Sequence, residues 1–463
     1  MLDYNLEKRG EASLYEYVYQ QIRDDIVAGH IVAGEHLPSK RAFASHLGIS
    51  VITIENAYSQ LLAEGYICSM PRRGYYACEL PDAPVLAAEG IDRDNASAGP
   101  SAHDVNGQVE LFDALSPSAL EAARLWQSAL RATLASEDER EIFSPAPAQG
   151  TARLRRAIAH HLRGTRGMNV DPNNIVIGAG AQLLDTMLVQ LLGADKVYAV
   201  EDPGYLRLTR IYQAMGCKVR HVPLDDDGVD LSALQKTGAD VLHLMPSHQY
   251  PTGLVTSIAR RYALLSWAAE RPDRYLIEDD FDCEFRLAGK PIPALASIDA
   301  AQSVIYTNTF SKSLSSALRL AYMVLPDELM ERFRRNLGFY ASSVSSVDQV
   351  ALACLLESGD YERHVNRVRV RAREARDGLT SLVRKAFPAG EVSIEHADAG
   401  LYCTVVAERG AGGSSFVRAL TRSSIPFVDI SGCYWCADGA SVPENSSQIL
   451  VQYDDLSPKV LST

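Results

Sequence analysis

Residues 308–322 read NTFSKSLSSALRLAY. Lys312 stands among the hydroxyl residues Thr309, Ser311 and Ser313, and Arg319 follows seven residues on. A short β-rich run, SVIYTNT (303–309), precedes it. A cofactor that carries both an aldehyde and a phosphate needs this combination: an amine to form an imine, and hydroxyls and a guanidinium to hold the anion. A lone lysine in SKS is ordinarily a solvated surface residue. The case therefore rests on what lies around it.

Pyridoxal phosphate also needs a carboxylate at its pyridine nitrogen, an aromatic side chain stacked on the ring and NH groups for the phosphate. The chain offers these in order, each after its own apolar run. NIVIGAG (174–180) leads into AQLLDTM, so Gly180, Ala181 and Gln182 can present backbone NH groups at a helix start. KVYAVED (196–202) leads to PGYLRLTR, which supplies Tyr205 for stacking and Arg207 and Arg210 as anion grips. ADVLHLMP (239–246) leads to the polar turn SHQYPTG, with His248 and Tyr250. RYLIEDD (274–280) ends on two carboxylates; Asp279 is the first choice for the pyridine nitrogen and Asp280 the alternative. Open α/β sheets bind ligands at the carboxyl ends of their parallel strands, which is where all these groups fall.

The chain has 463 residues, 47% of them hydrophobic, enough for two or three domains. Helical segments alternate with the short apolar runs from about residue 113 onward, the pattern of an α/β domain with a mainly parallel sheet. Residues 80–112 are rich in Ala, Pro, Gly, Asp and Ser and read as a linker. The expected division is thus 11–79, a linker over 80–112, and 113–463. Net charge of -13 argues against a chain coated in nucleic acid, though not against a local DNA-binding face. No apolar run is long enough to span a membrane, and the start lacks an apolar signal-peptide core, so a cytoplasmic chain is expected. Eight cysteines in this length are no disulfide framework. Cys433 and Cys436 have CxxC spacing but lack matched partner ligands for zinc, and read as ordinary buried thiols.

The first eighty residues have a different pattern. Leu14, Val18, Ile22 and Ile26 recur at four-residue steps, an apolar helical stripe ending near Gly29. Ser39 is placed to cap a short helix, Lys40 to Leu47, Gly48 supplies a turn, and Ser50 caps the next helix, VITIENAYSQLLAEG. YICSMPRRGYYAC then reads as a hairpin with Arg72, Arg73 and Gly74 at its tip. This is the pattern of a winged helix-turn-helix. The region is net acidic, with seven Lys/Arg against ten Asp/Glu in residues 1–80. Its cations Lys40, Arg41, Arg72 and Arg73 nevertheless fall where phosphates would lie, and Thr53 and Asn56 sit on the reading helix.

GEHLPSKRAFASHLGISVITIENAYSQLLAEGYI resembles the DNA-binding domain of GntR-type bacterial regulators. One departure is Val51, where that family usually has arginine. The body, through EDPGY, PSHQYPTG, EDDFDCEF and FSKSL…LRLAY, resembles the fold-type I aminotransferases. Head and body together resemble the MocR/GabR subfamily. The resemblance implies a winged helix-turn-helix joined to an aminotransferase-like domain, with a large, mainly parallel sheet and a smaller C-terminal α+β part. It implies Lys312 bonded to pyridoxal 5'-phosphate as an internal aldimine, Asp279 at the ring nitrogen and Tyr205 over the ring. Thr309, Ser311 and Arg319 would lie near the phosphate, with Arg319 also available to an effector. Head-to-tail homodimers on double-stranded DNA, answering to an amine, an amino acid or the cofactor itself, are implied as well, with RNA polymerase a further possible partner. Two departures weigh against sustained transamination. Phe281 replaces the usual tyrosine near the ring hydroxyl, and SSQILVQYDDL lacks the arginine that holds a substrate carboxylate, although Asp454 or Asp455 there could meet a cation. The leading reading is a regulator that senses an amine by external aldimine formation at Lys312. The alternatives are a working aminotransferase with an accessory head, and a sensor of the cofactor alone.

Overall fold

The structure, a computed structural model, describes residues 13–70, 73–78, 117–135, 139–288, 292–387, 391–408, 420, 427–435 and 446–452, with Leu2, Tyr4 and Leu6–Arg9. The expected linker and Arg72, Cys436, Asp454 and Asp455 lie outside the described residues. The chain forms two units, Met1–Gly99 and Pro100–Thr463, and each is taken by itself.

In the first unit, helix Leu14–Val27 buries Val18, Ile22 and Ile26, as the stripe requires. Tyr17 and Tyr19 are buried too, so the apolar face is wider than the four-residue steps suggest. Ser39 accepts a hydrogen bond from the Ala42 amide, starting helix Lys40–Leu47. That helix stops at Gly48, whose φ of 67° suits a residue without a side chain. Ser50 likewise accepts from the Thr53 amide and starts helix Val51–Ala63. Phe43, Tyr58 and Leu61 join the first helix in one core, and the Tyr58 hydroxyl donates to the Pro38 carbonyl at 2.9 Å. The wing is a hairpin, Ile67–Met70 with Gly74–Ala77. A two-residue strand, His36–Leu37, pairs with its outer edge; it is too short to leave an alternating signature.

The second unit is built on an eight-stranded sheet among the described residues. Its order is Ile175–Gly178, Ala321–Val324, Val304–Thr309, Tyr275–Asp279, Val241–Leu244, Val197–Asp202, Lys218–Asp225 and Gly228–Val229. The pairings from Val304–Thr309 through Lys218–Asp225 are all parallel, whereas Ala321–Val324 runs antiparallel to both its neighbours. All five apolar runs singled out in the sequence are strands of this sheet. Alternate residues face opposite layers. Tyr198, Ile277 and Ile305 pack with Leu188, Tyr212 and Phe333 on one side. Ala199, Leu276 and Val304 pack with Leu264 and Trp267 on the other. That second side continues through Tyr306 and Tyr322 to Leu352, Leu356 and Val365 of helices Ser346–Ser358 and Asp360–Ala386. A smaller antiparallel sheet in the C-terminal part has the order Val392–Glu395, Tyr402–Glu408, Ser446–Gln452, Phe427–Asp429. No helix among the described residues is long and apolar enough to cross a membrane.

One buried cation ties the loops around the sheet's carboxyl edge. Arg261 is fully buried and donates to the carbonyls of Thr256, Pro293 and Pro246, at 3.1, 3.0 and 2.5 Å. It lies 3.7 Å from Glu278, which accepts from the Leu295 and Ala296 amides. Replacing Arg261 by Met leaves three carbonyls without their donor and Glu278 without its cationic neighbour, and we expect a loss of about 3–5 kcal/mol in urea unfolding at pH 7; a loss below about 1 kcal/mol would contradict this role. Asp185, Glu201, Glu278 and Glu284 are all buried, and burial pushes each carboxyl up to about 7. An acid raised above its unfolded value contributes stability at low pH that is lost as pH climbs through the folded value. Asp185→Asn removes one such group. Its stability relative to the parent should therefore rise between pH 5 and pH 8, by on the order of 1–3 kcal/mol, as read from paired denaturation curves.

Candidate functional site

Strand register brings four of the predicted groups together: Gly180, Arg319, Thr309 and Ser311. Ala321 pairs with Gly178 and also with Thr309. Two residues beyond Gly178 along one strand is Gly180, and two residues before Ala321 on its antiparallel neighbour is Arg319. The two therefore face each other. Gly180 caps helix Ala181–Leu192 with φ 89°, and a Cβ built on it would lie 2.2 Å from Arg319 Nη2. The guanidinium thus rests on a bare Cα at a helix N-terminus. Arg319 itself holds φ 50°, a left-handed conformation uncommon for an arginine. Thr309 Oγ1 and Ser311 Oγ lie 2.8 Å apart, and the Ser311 amide donates to Thr309 Oγ1 at 3.2 Å. Helix NH groups, a guanidinium and two hydroxyls are a fit for phosphate.

Lys312 is half-buried in the turn that follows, with Nζ 5.9 Å from the centre of the Phe281 ring. Asp279 ends its strand 3.8 Å from His243 Nε2, and the opposite ring nitrogen of His243 meets the Tyr212 hydroxyl at 2.6 Å. Burial works against a charged His243, but the carboxyls of Asp279, Asp185 and Glu201 outweigh it and its pKa is raised. Asp279 therefore has an imidazole with a raised pKa behind it. The alternative, Asp280, is corrected by the strand's alternation. It faces the other side of the sheet, paired with Arg166 at 2.8 Å and accepting from Tyr306 at 2.8 Å.

Tyr205 precedes helix Leu206–Ala214 and meets Tyr250 edge to face at 5.9 Å. The Arg207 guanidinium lies 5.6 Å from the Tyr205 ring centre, while Arg210 is exposed on the same helix. His248 packs against Phe281 and Tyr402, and its Nδ1 meets Asp282 at 2.7 Å. A Cβ on Gly400 would come within 2.0 Å of that imidazole, so the glycine makes room for the pair. His243, Asp185, Asp282 and Tyr402 were not foreseen from the sequence. Asp185 and His243 sit inside apolar runs, QLLDTM and VLHL, where only strand facing reveals that they converge. Cys433 is a buried thiol pushed up to about 11 by burial.

On the first unit, Ser39 and Ser50 are committed to capping. Lys40 is ion-paired with Glu55 of the reading helix at 2.7 Å, a carboxylate that DNA phosphate would have to displace. Arg41, Asn56 and Arg73 are exposed, and Thr53 is half-exposed with its hydroxyl 2.8 Å from that of Ser50. Gly74 has φ 105°, and a Cβ there would lie 2.7 Å from His36 Nε2. Val51 and Ile52, 42% and 68% exposed, give the first turn of the reading helix an apolar tip.

Comparison with known proteins agrees with both units. Residues 14–76 match the family of bacterial regulatory proteins, gntR family, and residues 113–433 match aminotransferase class I and II. The chain is 34% identical to the uncharacterized HTH-type transcriptional regulator YhdI of Bacillus subtilis, over 93% of this chain and 90% of that one. It is 27% identical to the probable rhizopine catabolism regulatory protein MocR of Rhizobium meliloti, over 98% and 93%. Among solved structures, the α-aminoadipate aminotransferase LysN of Thermus thermophilus, complexed with N-(5'-phosphopyridoxyl)-L-leucine, superposes with a TM-score of 0.59. It is 25% identical and covers 74% of this chain and 85% of its own. The chain is a DNA-binding transcriptional regulator with an aminotransferase-like domain. It belongs to the MocR/GabR-type subfamily of GntR regulators.

Proposed function

We propose that this regulator holds pyridoxal 5'-phosphate at Lys312 and uses it to sense a small amine or amino acid. The observation that carries the reading is the Arg319 guanidinium lying on the bare Cα of Gly180, a cationic slot at a helix N-terminus. In this reading Thr309, Ser311 and the amides of Ala181 and Gln182 complete the phosphate grip. Asp279, backed by His243, holds the proton on the ring nitrogen. Tyr205 covers one ring face, and His248, Tyr250 and Phe281 close the surroundings. When bound, the cofactor supplies an aldehyde carbon that exchanges one amine for another. Lys312 Nζ would be the resident amine, and its side chain would be free to move when an effector amine occupied that place. Arg207, with Arg210 nearby on the same helix, would grip an anionic end of the effector.

Two features favour sensing over turnover. Phe281 offers no hydroxyl to the cofactor ring, and strand Ser446–Gln452 carries no arginine. An enzyme needs the released lysine to move protons repeatedly, whereas a sensor needs only a difference between two states. A homodimer reading two half-sites, with the segment over 80–112 as linker, completes the proposal.

Lys312→Ala should lose the visible absorption of the bound cofactor and any effector-dependent change in DNA affinity, while basal DNA binding remains. A variant that kept both would overturn the sensing reading. Sustained conversion of an amino donor and a keto acid would favour the enzyme reading. A response to cofactor with none to amines would favour sensing of the cofactor alone. At the head, Arg72→Gln with Arg73→Gln should weaken operator binding and lower the salt slope by about two. An unchanged slope in salt-titrated binding would remove the wing from the interface.

A further inference from the structure

On the face of the sheet opposite Asp279 lies a cavity of about 530 Å³. Its walls are the end of helix Ala152–Arg166, the segment 283–288 and helix Asp360–Ala386. Lys312, Asp279, Tyr205 and Arg319 do not line it, although Arg166, Cys283 and Arg286 also border a small pocket beside His248 and Gly400. Four arginines line the cavity: Arg166, Arg286, Arg369 and Arg373.

These charges are poorly balanced. Arg166 has Asp280 as partner, but its Nε is buried without a hydrogen bond. The Nε of Arg286 is likewise buried and unbonded among the described residues. Arg369 and Arg373, one helical turn apart, spend donors on the carbonyls of Glu284 and Leu287, which carry no net charge. Burial lowers the Arg369 pKa, and Arg373 adds repulsion that the nearby Glu284 opposes. Two carboxyl groups line the cavity. Glu362 is taken by His161 at 3.0 Å, and burial pushes Glu284 up to about 7. A purely structural role, knitting segment 283–288 to the long helix, explains the carbonyl bonds of Arg369 and Arg373. It leaves unexplained the open volume and the idle donors of Arg166 and Arg286.

We propose that this cavity binds a small multivalent anion, a phosphorylated or polycarboxylate metabolite, as a second ligand of the regulator. Guanidinium forks match such groups, and the volume suits a ligand of that size. The cavity wall also touches the Lys312 turn. Tyr361 donates to Ser313 Oγ at 2.8 Å, His364 Nε2 lies 2.8 Å from the Ser313 carbonyl, and Asn308 reaches Glu284 at 3.4 Å. An anion that draws Arg369 and Arg373 inward shifts the helix turn that grips the neighbour of Lys312. This transmission rests on the reading of Lys312 given above; the binding itself does not.

Calorimetric titration of the full-length protein with inorganic pyrophosphate, and separately with citrate, tests the site. One anion per chain should bind at the cavity. Arg286→Gln and Arg373→Gln should each weaken binding at least tenfold, about the worth of one charge-assisted bond. Arg319→Gln, which disables only the slot at Gly180, should leave this binding intact even if no cofactor is ever held. Without anion, Arg286→Gln should melt within about 2 °C of the parent, because its Nε bonds nothing; a larger fall would make Arg286 structural and overturn the proposal. Failure of both probes to bind, or binding that survives both cavity variants, would overturn it as well. In cofactor-loaded protein, saturation should alter the absorption of the group on Lys312. An unchanged spectrum with intact binding would refute the transmission alone.

Discussion

The contact between Arg319 and Gly180 is the constraint on which the body depends. A side chain at position 180 would push the guanidinium aside, and the φ of 89° there is strained for any residue but glycine. The contact exists because strand Ala321–Val324 is inserted, antiparallel, between Ile175–Gly178 and Val304–Thr309. That insertion sets the helix start after Gly180, the hydroxyls of Thr309 and Ser311, and Arg319 around one point. Lys312 lies on the turn between the two strands that create the register. The same three strands therefore place Gly180, Thr309, Arg319 and the Lys312 turn at one edge of the sheet.

Much of this was legible in the sequence, and the reasons are local. Strands read as apolar runs, and helix starts at Ser39 and Ser50 read from capping chemistry alone. Asp279 and Lys312 could be singled out as candidates because each sits at or just after the end of an apolar run. What stayed hidden depends on tertiary facing. Asp279 and Asp280 are adjacent, and only strand alternation decides that one meets His243 and the other Arg166. His243 and Asp185 look like interruptions of apolar segments until their strand and helix are packed together. The Lys40–Glu55 pair joins two helices across fifteen residues of sequence, so composition could not show that this cation already has a partner. The four arginines of the second cavity come from three separate stretches of chain and share no motif.

The body has the fold of the aminotransferases, and the proposed site departs from one built for turnover. Buried acids and a raised His243 surround Asp279, while Phe281 and the arginine-free strand Ser446–Gln452 remove polar partners that turnover would use. In the proposed reading, such a site would still distinguish two states of Lys312, bonded and released. A regulator needs that distinction, because an effector shifts an equilibrium only by its different affinity for two states. In the head, Val51 and Ile52 give the first turn of helix Val51–Ala63 an exposed aliphatic surface.

The most direct test is to purify the full chain with ample vitamin B6, reduce it with borohydride and locate the added mass by peptide mapping. The account predicts a coloured preparation and a single phosphopyridoxyl adduct on the side-chain nitrogen of residue 312. A colourless protein, or an adduct on a different lysine, would contradict it.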